Sequence, residues 1–211
     1  MATLTLYHAA PSRSSIVHWM LEELGQPYDL HLVSFKKGEN RSPEYLAVNP
    51  MGKVPALRHG DVVVTEAAAI CAYLADEFPA ARLNIPVGDP RRGVYLKWMF
   101  FGPSCVEPAI TEHAFPRKEP PPRGALGFGD VDTVIEVLAK AAAAADPYLM
   151  GKQFTAADVI IGSGLRWGTA FKLLPERPEF KGYVDRLGQR PALQRATEKD
   201  ARLQKKQEAE L

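Results

Sequence analysis

Cysteine is scarce in this chain: only Cys71 and Cys105 occur among its 211 residues. Two cysteines are too few for a disulfide framework, and they lack the C-x-x-C spacing of a redox motif or a zinc site. Both fall in predicted helices, where a buried free thiol is the ordinary interpretation. We therefore expect a reduced, cytoplasmic protein.

The chain also lacks an excess of charge and a long apolar run. Its 26 Lys and Arg residues oppose 25 Asp and Glu residues, so we expect no nucleic acid as a partner. No run approaches the ~18 apolar residues of a membrane span, and residues 1–6 have neither the basic nor the apolar part of a signal peptide. His18 and His113 have no ligand spacing, so we expect no metal site.

What is present centres on residues 49–74, which read NPMGKVPALRHGDVVVTEAAAICAYL. Asn49-Pro50 and Gly52 are turn signals. The apolar runs at 54–57 and 62–64 flank a His-Gly-Asp turn, a pattern that predicts a β-hairpin. The alanine-rich run after Glu66 predicts a helix.

Two features of this stretch indicate binding of a small peptide. Pro55 stands at the start of a predicted strand, where proline cannot donate to the ladder. A cis Val54–Pro55 bond there would turn the Val54 backbone outward, free to pair with an extended peptide. Glu66 and Ala67 open a helix whose unpaired N–H groups and positive dipole end attract a carboxylate. The Glu66 carboxylate is suited to an amine, so the stretch suits a peptide with a free amino-acid end.

Before this stretch the sequence predicts a βαβ unit. Residues 3–7 and 28–33 alternate as strands, and residues 16–24 have helical spacing with Glu22 and Glu23 outward. Ser14 or Ser15 is the expected cap of this helix, and Gly25 is its stop signal.

After Asp76 the pattern becomes helical, with a proline-rich linker expected at residues 79–88. A long aromatic-rich helix is predicted from residue 91, bent at Gly102-Pro103. Asp130 is an expected helix cap, and Thr155 with Asp158 is an expected capping box. The helices predicted after the proline-rich segment lie at about 131–144, 159–173, 180–187 and 192–208.

NPMGKVPAL followed by TEAAAICAYLAD resembles the second half of the glutathione-binding domain of cytosolic-type glutathione S-transferases, and LTLYHAAPSRSSIVHWMLEELGQPYDL resembles its first half. The likeness is strong up to about Asp76 and looser beyond. It implies a thioredoxin-like α/β domain at residues 1–79 and an all-α domain at residues 89–211. The α/β domain should hold a four-stranded mixed sheet with helices on both faces. The implied protein is a homodimeric bacterial detoxification enzyme of the beta, theta or zeta kind, with a serine-type active site.

The resemblance implies that the reacting atom is the thiol of glutathione, the cosubstrate. Its thiolate is the nucleophile, so the protein must place a hydrogen-bond donor beside the sulfur. Ser12 is the preferred donor by this likeness, with Ser14 and Tyr7 as alternatives, while Arg13 can add positive charge. No cysteine stands near Arg13, which departs from the cysteine-type members and puts a mixed-disulfide mechanism in doubt.

The remaining contacts also follow from the resemblance. The Val54–Pro55 backbone would pair with the cysteinyl unit, and Glu66 with the Ala67 N–H would hold the γ-glutamyl end. Ala67 replaces the family's usual serine, so it keeps the N–H but lacks a hydroxyl. Lys36 and Lys53 would meet the glycyl carboxylate. A hydrophobic electrophile is expected between the domains, against side chains from Phe100, Phe101, Ser104, Glu107, Trp167 and Phe171.

Two alternatives to the transferase stay open from the sequence. The same pocket suits a glutathione-dependent peroxidase, disulfide reductase or isomerase. The fold also suits a glutathione-binding module without turnover, because the cysteine is missing and Ala67 departs from the family pattern.

Overall fold

The computed structural model describes residues 3–119 and 121–209. Their strands and longer helices are β1 (Leu4–His8), α1 (Ser14–Leu24), β2 (Tyr28–Leu32), α2 (Pro43–Leu46), β3 (Ala56–His59), β4 (Val62–Thr65), α3 (Ala67–Glu77), α4 (Arg92–Phe101), α5 (Glu107–Ala114), α6 (Val131–Ala144), α7 (Ala156–Ala170), α8 (Pro178–Gly188) and α9 (Pro191–Ala209). Short 3-10 turns lie at Glu39–Arg41, Pro79–Ala81 and Arg123–Ala125, and a π-helical segment spans Gly102–Val106. None of the described helices combines the length and apolar character needed to cross a membrane.

Contacts divide the chain into two compact units. One comprises the residues up to Ala81 together with those from Arg190 onward, and the other comprises Arg82–Gln189. Helix α9 thus groups with the sheet, whereas the expected boundaries counted it with the helical domain. The division into domains at residues 79 and 89 stays a prediction.

The first unit is built on a four-stranded sheet of order β2-β1-β3-β4. Strand β1 runs parallel to β2 and antiparallel to β3, which pairs antiparallel with β4. Alternation along β1 sends His8 toward α1 and Tyr7 toward α2, where its ring lies 5.8 Å from that of Tyr45. Helices therefore cover both faces, and the prediction of a mixed sheet in a thioredoxin-like domain is confirmed.

Helix α1 differs from its prediction in two ways. Its N-cap is Arg13, which makes no side-chain capping bond, so neither Ser14 nor Ser15 caps it. Glu22 and Glu23 were expected to point outward, but their side chains are only 6 % exposed. The prediction was wrong because cations of α9 and Arg190 just before it, far along the chain, lie over this face of α1. Gly25 ends the helix in the left-handed region, as predicted.

The hairpin after Gly52 follows the prediction with a small shift. Its first strand begins at Ala56 and not at Val54, because Pro55 has no N–H to donate to the ladder. The Val54–Pro55 bond is cis, as predicted, and so are Ala10–Pro11 and Asp146–Pro147.

The second unit is helical. The long aromatic helix is interrupted at Gly102, as predicted, by the π-helical segment that leads into α5. Asp130 caps α6 by accepting from the Thr133 N–H at 2.8 Å. The capping box of Thr155 and Asp158 opens α7, and the buried Asp158 also accepts from the Tyr183 hydroxyl at 2.7 Å. These caps fix where the helices begin.

Candidate active site

The sheet register gathers the predicted binding segments at one edge. Tyr7 lies opposite His31 on one side and Ala56 on the other, and Ala56 lies opposite Thr65. The segments after β1, after β2, before β3 and after β4 therefore emerge at the same edge of the sheet. Helices α1 and α3, each of 11 residues, begin there. Their N-termini bring unpaired N–H groups and positive dipole ends to this edge.

The serines at the start of α1 differ in what their hydroxyls can do. Ser14 is fully buried, and its Oγ lies 2.8 Å from His8 Nδ1 and 3.1 Å from the Ala9 nitrogen. Ser12 is only partly buried, and its Oγ accepts from the Ser14 N–H at 3.0 Å and lies 2.7 Å from Ser14 Oγ. Ser14 is thus enclosed within the protein, while Ser12 is partly exposed at the edge with its hydroxyl against Ser14.

Tyr7 is half-buried at the end of β1. Its ring packs against the cluster of Ala9, Val33, Tyr45 and Val54. Its hydroxyl accepts from Arg58 Nε at 3.4 Å, a weak hydrogen bond. Tyr7 therefore has a packing role, and its hydroxyl is already near a cation.

The segment before β3 is fixed by two side-chain donors. The Lys53 carbonyl accepts from the Tyr45 hydroxyl at 2.6 Å and from Asn49 Nδ2 at 2.7 Å. Burial, followed by the nearby Tyr7 hydroxyl, raises the pKa of Tyr45 to about 12, so its phenol stays protonated and donates. Val54 is 8 % exposed. The backbone at Val54 is therefore held in a defined position at the edge.

Glu66 occupies a strained backbone position. It has φ 67° and ψ 120° at the N-cap of α3, with an exposed side chain. A positive φ is costly for a residue with a Cβ and persists where the surroundings impose it, often at functional sites. The half-buried Ala67 follows as the first helical residue. This backbone conformation places Glu66 beside the first turn of α3.

Three predicted basic contacts stand on segments at the same edge. Arg13 precedes α1, Lys36 lies in the turn after β2, and Lys53 precedes Val54. All three side chains are exposed. The edge therefore carries cations along with the two helix N-termini, a setting that favours an anionic ligand.

The predicted electrophile contacts lie in the second unit. Phe101 is half-buried at the end of α4, while Trp167 of α7 and Phe171 just after it are exposed, with ring centroids 5.3 Å apart. The Ser104 hydroxyl donates to the Phe100 carbonyl at 2.6 Å, so it is satisfied within its own helical segment. Exposed aromatic side chains can bind an apolar molecule.

Sequence reasoning missed a buried polar group behind the edge. His8, His18 and Asp200 place one potential ligand atom each within 4.8 Å of one another. His18 Nδ1 lies in hydrogen-bond contact with Asp200 Oδ1, and the same oxygen lies 3.2 Å from His8 Nε2. We therefore interpret the group as a hydrogen-bonded network. Asp200 lies 182 residues beyond His18, and no local pattern could have joined them.

Comparison with known proteins agrees with this architecture. Residues 2–76 match the family model described as glutathione S-transferase, N-terminal domain. Among curated proteins, glutathione S-transferase GstA of Escherichia coli O157:H7 is 30 % identical over 92 % of this chain and 96 % of its own.

Two solved structures extend the likeness over nearly the whole chain. The glutathione transferase URE2P6 of Phanerochaete chrysosporium, in complex with oxidized glutathione, has a TM-score of 0.80, 29 % identity and coverage of 96 % of this chain and 98 % of its own. The theta class enzyme of Xanthomonas axonopodis pv. citri, with glutathione bound, has a TM-score of 0.73, 29 % identity and coverage of 93 % and 97 %. The structure combines a thioredoxin-like unit with a helical unit, as transferases of this fold do. The chain belongs to the glutathione S-transferase family, which confirms the sequence-based prediction.

Proposed function

We propose that this protein binds glutathione at the described edge of the sheet and joins its sulfur to an electrophilic carbon. The main support is the strand register, because it brings the chain segments that hold the predicted contacts to one edge of the sheet. These are the contacts predicted for the thiol, the peptide backbone, the amine and the carboxylates. Relatives solved with glutathione bound support glutathione as the ligand. The reaction is an addition or a displacement in which the thiolate attacks carbon.

Each part of glutathione has a suitable partner at this edge. The exposed Glu66 carboxylate pairs with the γ-glutamyl amine, and the Ala67 N–H donates to the adjacent carboxylate at the positive end of α3. The backbone of Val54, next to Pro55, pairs with the cysteinyl unit. Lys36 and Lys53 meet the glycyl carboxylate. These assignments give each charged group of the tripeptide a partner of opposite charge or the positive end of α3.

Ser12 is the proposed donor to the thiolate. A bound thiol is ionised when the charged form gains hydrogen bonds or positive field. Ser12 supplies the hydroxyl, while the start of α1 and Arg13 supply the field. Ser14 is a poorer candidate because its hydroxyl is fully buried among His8, Ala9 and Ser12. The Tyr7 hydroxyl is the remaining alternative.

The transferase is favoured over a disulfide reductase by the cysteines. A mixed disulfide needs a reactive thiol beside the glutathione sulfur, and none stands in the loop after β1. Burial raises the pKa of the Cys71 thiol, which makes this thiol a poor nucleophile. Cys105 belongs to the π-helical segment of the second unit. We therefore assign the chemistry to attack of the thiolate on carbon.

For the electrophile we propose a hydrophobic small molecule held by Phe101, Trp167 and Phe171, with Ser104 as the polar contact. Burial of apolar ligand surface against aromatic rings supplies the affinity.

We further infer a cytoplasmic homodimer, as is usual for the family, with a role in detoxification. Light scattering at micromolar concentration checks the assembly, where a monomer mass would contradict it.

The test of this function is the ultraviolet absorbance of the thiolate in the protein–glutathione complex, followed against pH. Loss of a hydrogen bond to a charged acceptor should raise the thiol pKa of bound glutathione in Ser12→Ala by on the order of one to two units. Glutathione affinity should change little. Tyr7→Phe, which also removes one hydroxyl, is the matched control and should leave the thiol pKa of bound glutathione unchanged. A shift confined to Tyr7→Phe would move the donor role there, and a wild-type protein that fails to bind glutathione would refute the function.

A further inference from the structure

A path of polar contacts leads from Ser12 into the core of the first unit. Ser12 Oγ lies 2.7 Å from Ser14 Oγ, which lies 2.8 Å from His8 Nδ1. The other ring nitrogen of His8, Nε2, lies 3.2 Å from Asp200 Oδ1 on α9. His8 and Ser14 are fully buried, whereas Ser12 is partly exposed. The path joins the hydroxyl at the edge to a buried histidine and carboxylate.

Polar groups beyond Asp200 hold His18 in place. The Tyr28 hydroxyl donates to Glu22 and lies 2.9 Å from His18 Nε2. His18 Nδ1 faces the Asp200 carboxylate. His18 therefore fixes Asp200 beside the ring of His8.

Asp200 remains ionised in this setting. Burial alone would raise its pKa, but the contacts that His18, His8 and Ser15 make with the carboxylate hold the pKa of Asp200 well below its usual range. Its oxygen lies within ion-pair distance of His8 Nε2 but out of line for a full hydrogen bond. This carboxylate favours the proton on Nε2 and stabilises any further positive charge on the ring.

With its proton on Nε2, His8 has a lone pair at Nδ1 that faces Ser14. The Ser14 hydroxyl then donates to His8 Nδ1 at 2.8 Å in preference to the more distant Ala9 carbonyl at 3.2 Å, and the Ser12 hydroxyl donates inward to Ser14. The Ser14 N–H also donates to Ser12 Oγ, which leaves Ser12 one further lone pair. In this resting arrangement Ser12 can accept a proton from a bound thiol.

We propose that His8 takes up the proton of the glutathione thiol through the hydroxyls of Ser12 and Ser14. The S–H bond breaks as a new O–H bond forms on Ser12, whose own proton passes to Ser14 while that of Ser14 passes to His8 Nδ1. The products are a thiolate and an imidazolium, so atoms and total charge balance. The hydroxyls of Ser12 and Ser14 then donate in the opposite direction, so that Ser14 donates to Ser12 and Ser12 donates to the thiolate. This inference rests on the proposed function.

The surrounding charges decide whether His8 can carry that proton. The His18 ring lies 5.1 Å away, and positive charge on it would oppose a proton on His8. Asp200 lies against both rings and favours it. The charge of Glu22 is already matched by Arg195 and Lys199 of α9, and Tyr28 keeps its proton because burial and then Glu22 raise its pKa. The thiolate itself is the second anion, so the relay forms a thiolate–imidazolium pair.

His8 is thus a positioning residue that acts through Ser12, and a proton count distinguishes this role from a structural one. Glutathione is titrated into the protein in buffers of different ionisation enthalpy, and the protons released are compared with the thiolate seen by absorbance. If His8 keeps the proton, thiolate forms with few protons released to the buffer. One proton released per thiolate overturns the proposal, and this result needs no variant.

The variant His8→Asn sharpens the test. Asn can still accept from Ser14 but cannot take up a proton, so the thiol pKa of bound glutathione should rise by roughly one unit or more. Any thiolate that forms should now release its proton to the buffer. S-methylglutathione, which has no thiol proton, should bind wild type and variant equally. The control is His113→Asn, an exposed histidine of α5, which should match wild type in every readout.

The outcomes distinguish a failure of the proton relay from a failure of the proposed function. If wild type binds glutathione as a thiolate and Ser12→Ala raises the thiol pKa while His8→Asn does not, the relay is refuted and the transferase stands. If wild type forms no thiolate, the proposed function fails first. Should His8→Asn fail to fold, the proton count on wild type still decides.

Discussion

Glu22 of α1 accepts from Arg195 Nε of α9 at 2.8 Å, although 173 residues separate them in the sequence. The Glu22 carboxylate also accepts from Lys199 and from the Tyr28 hydroxyl. The next residue, Glu23, accepts from Arg190 at 2.6 Å and 2.7 Å. Two glutamates with nearly buried side chains thus tie α1 to α9 and to Arg190, the residue just before α9. The same helix carries Asp200, so these ion pairs also position the polar group behind Ser12.

We predict that Glu22→Gln destabilises the protein at neutral pH and flattens its acid sensitivity. Burial opposes ionisation, but hydrogen bonds from Lys199, Tyr28 and Arg195 lower the pKa of Glu22 from 4.5 to about 2. A carboxyl with a lowered folded pKa stabilises fully above about 4.5, and this contribution is lost as pH falls toward about 2. Because Arg195 and Lys199 are about half exposed, we expect ~1–2 kcal/mol.

Urea unfolding of wild type and Glu22→Gln from pH 7 down to 2 measures this contribution. The gap between the two should close as the pH falls through that window. The control is Glu198→Gln, which removes an exposed partner of Arg202 on α9 and should change stability very little. A constant gap at every pH would contradict the assignment.

The sequence predicted the elements of the first unit well because their signals are local. Turn residues around Gly60 and the stop at Gly25 mark strand and helix ends within a few positions. The environment of Glu22 and Glu23 could not be predicted in this way. Their partners come from a helix at the other end of the chain, and a charged pair on a helix ordinarily indicates a solvated face.

We predict that Asp158→Ala unfolds at clearly lower denaturant than wild type. The fully buried Asp158 accepts from the Leu149 and Thr155 nitrogens at 2.8 Å and 3.0 Å and from the Tyr183 hydroxyl at 2.7 Å. Alanine leaves these donors buried without an acceptor, which should cost ~2–4 kcal/mol. Asp130→Ala, the loss of a less buried cap, should cost only ~1 kcal/mol. Equal losses for the two variants would argue against a special role of the buried network.

Gly102→Ala is predicted to destabilise the second unit, whereas Gly93→Ala is not. A Cβ at Gly102 would overlap the side chain of Ile160 on α7, while one at Gly93 in α4 meets nothing within 4 Å. We expect a loss of ~1–3 kcal/mol at Gly102 from overpacking. The exposed helical Gly93 should instead gain ~0.5–1 kcal/mol. Thermal unfolding of the pair checks both signs, and a stabilised Gly102→Ala would mean that the π-helical segment and α7 do not meet at this glycine.

The candidate site was predictable only where its chemistry is local in sequence. Val54, Pro55 and Glu66 belong to one motif, and the sheet register explains why they meet the end of β1. The choice between Ser12 and Ser14 was not decidable from sequence, because both precede or open the same helix. We base the preference for Ser12 on burial, because Ser14 is enclosed against His8 of β1, whose other ring nitrogen faces Asp200 of α9. Side chains as far apart in sequence as His8 and Asp200 leave no local signal.

We predict that Glu66→Ala weakens glutathione binding far more than it alters folding. Loss of a charge-assisted contact to the γ-glutamyl amine is worth ~1.5–3 kcal/mol, or roughly 10- to 100-fold in affinity. The strained φ of 67° remains with alanine, so stability should change by less than ~1 kcal/mol. Calorimetric titration with glutathione measures the affinity. Glu77→Ala, an exposed glutamate at the other end of α3, is the matched control and should bind as wild type does. If Glu66→Ala binds glutathione as tightly as that control, the amine contact must lie elsewhere on the edge, since a carboxylate that pairs with a bound cation cannot be removed without cost.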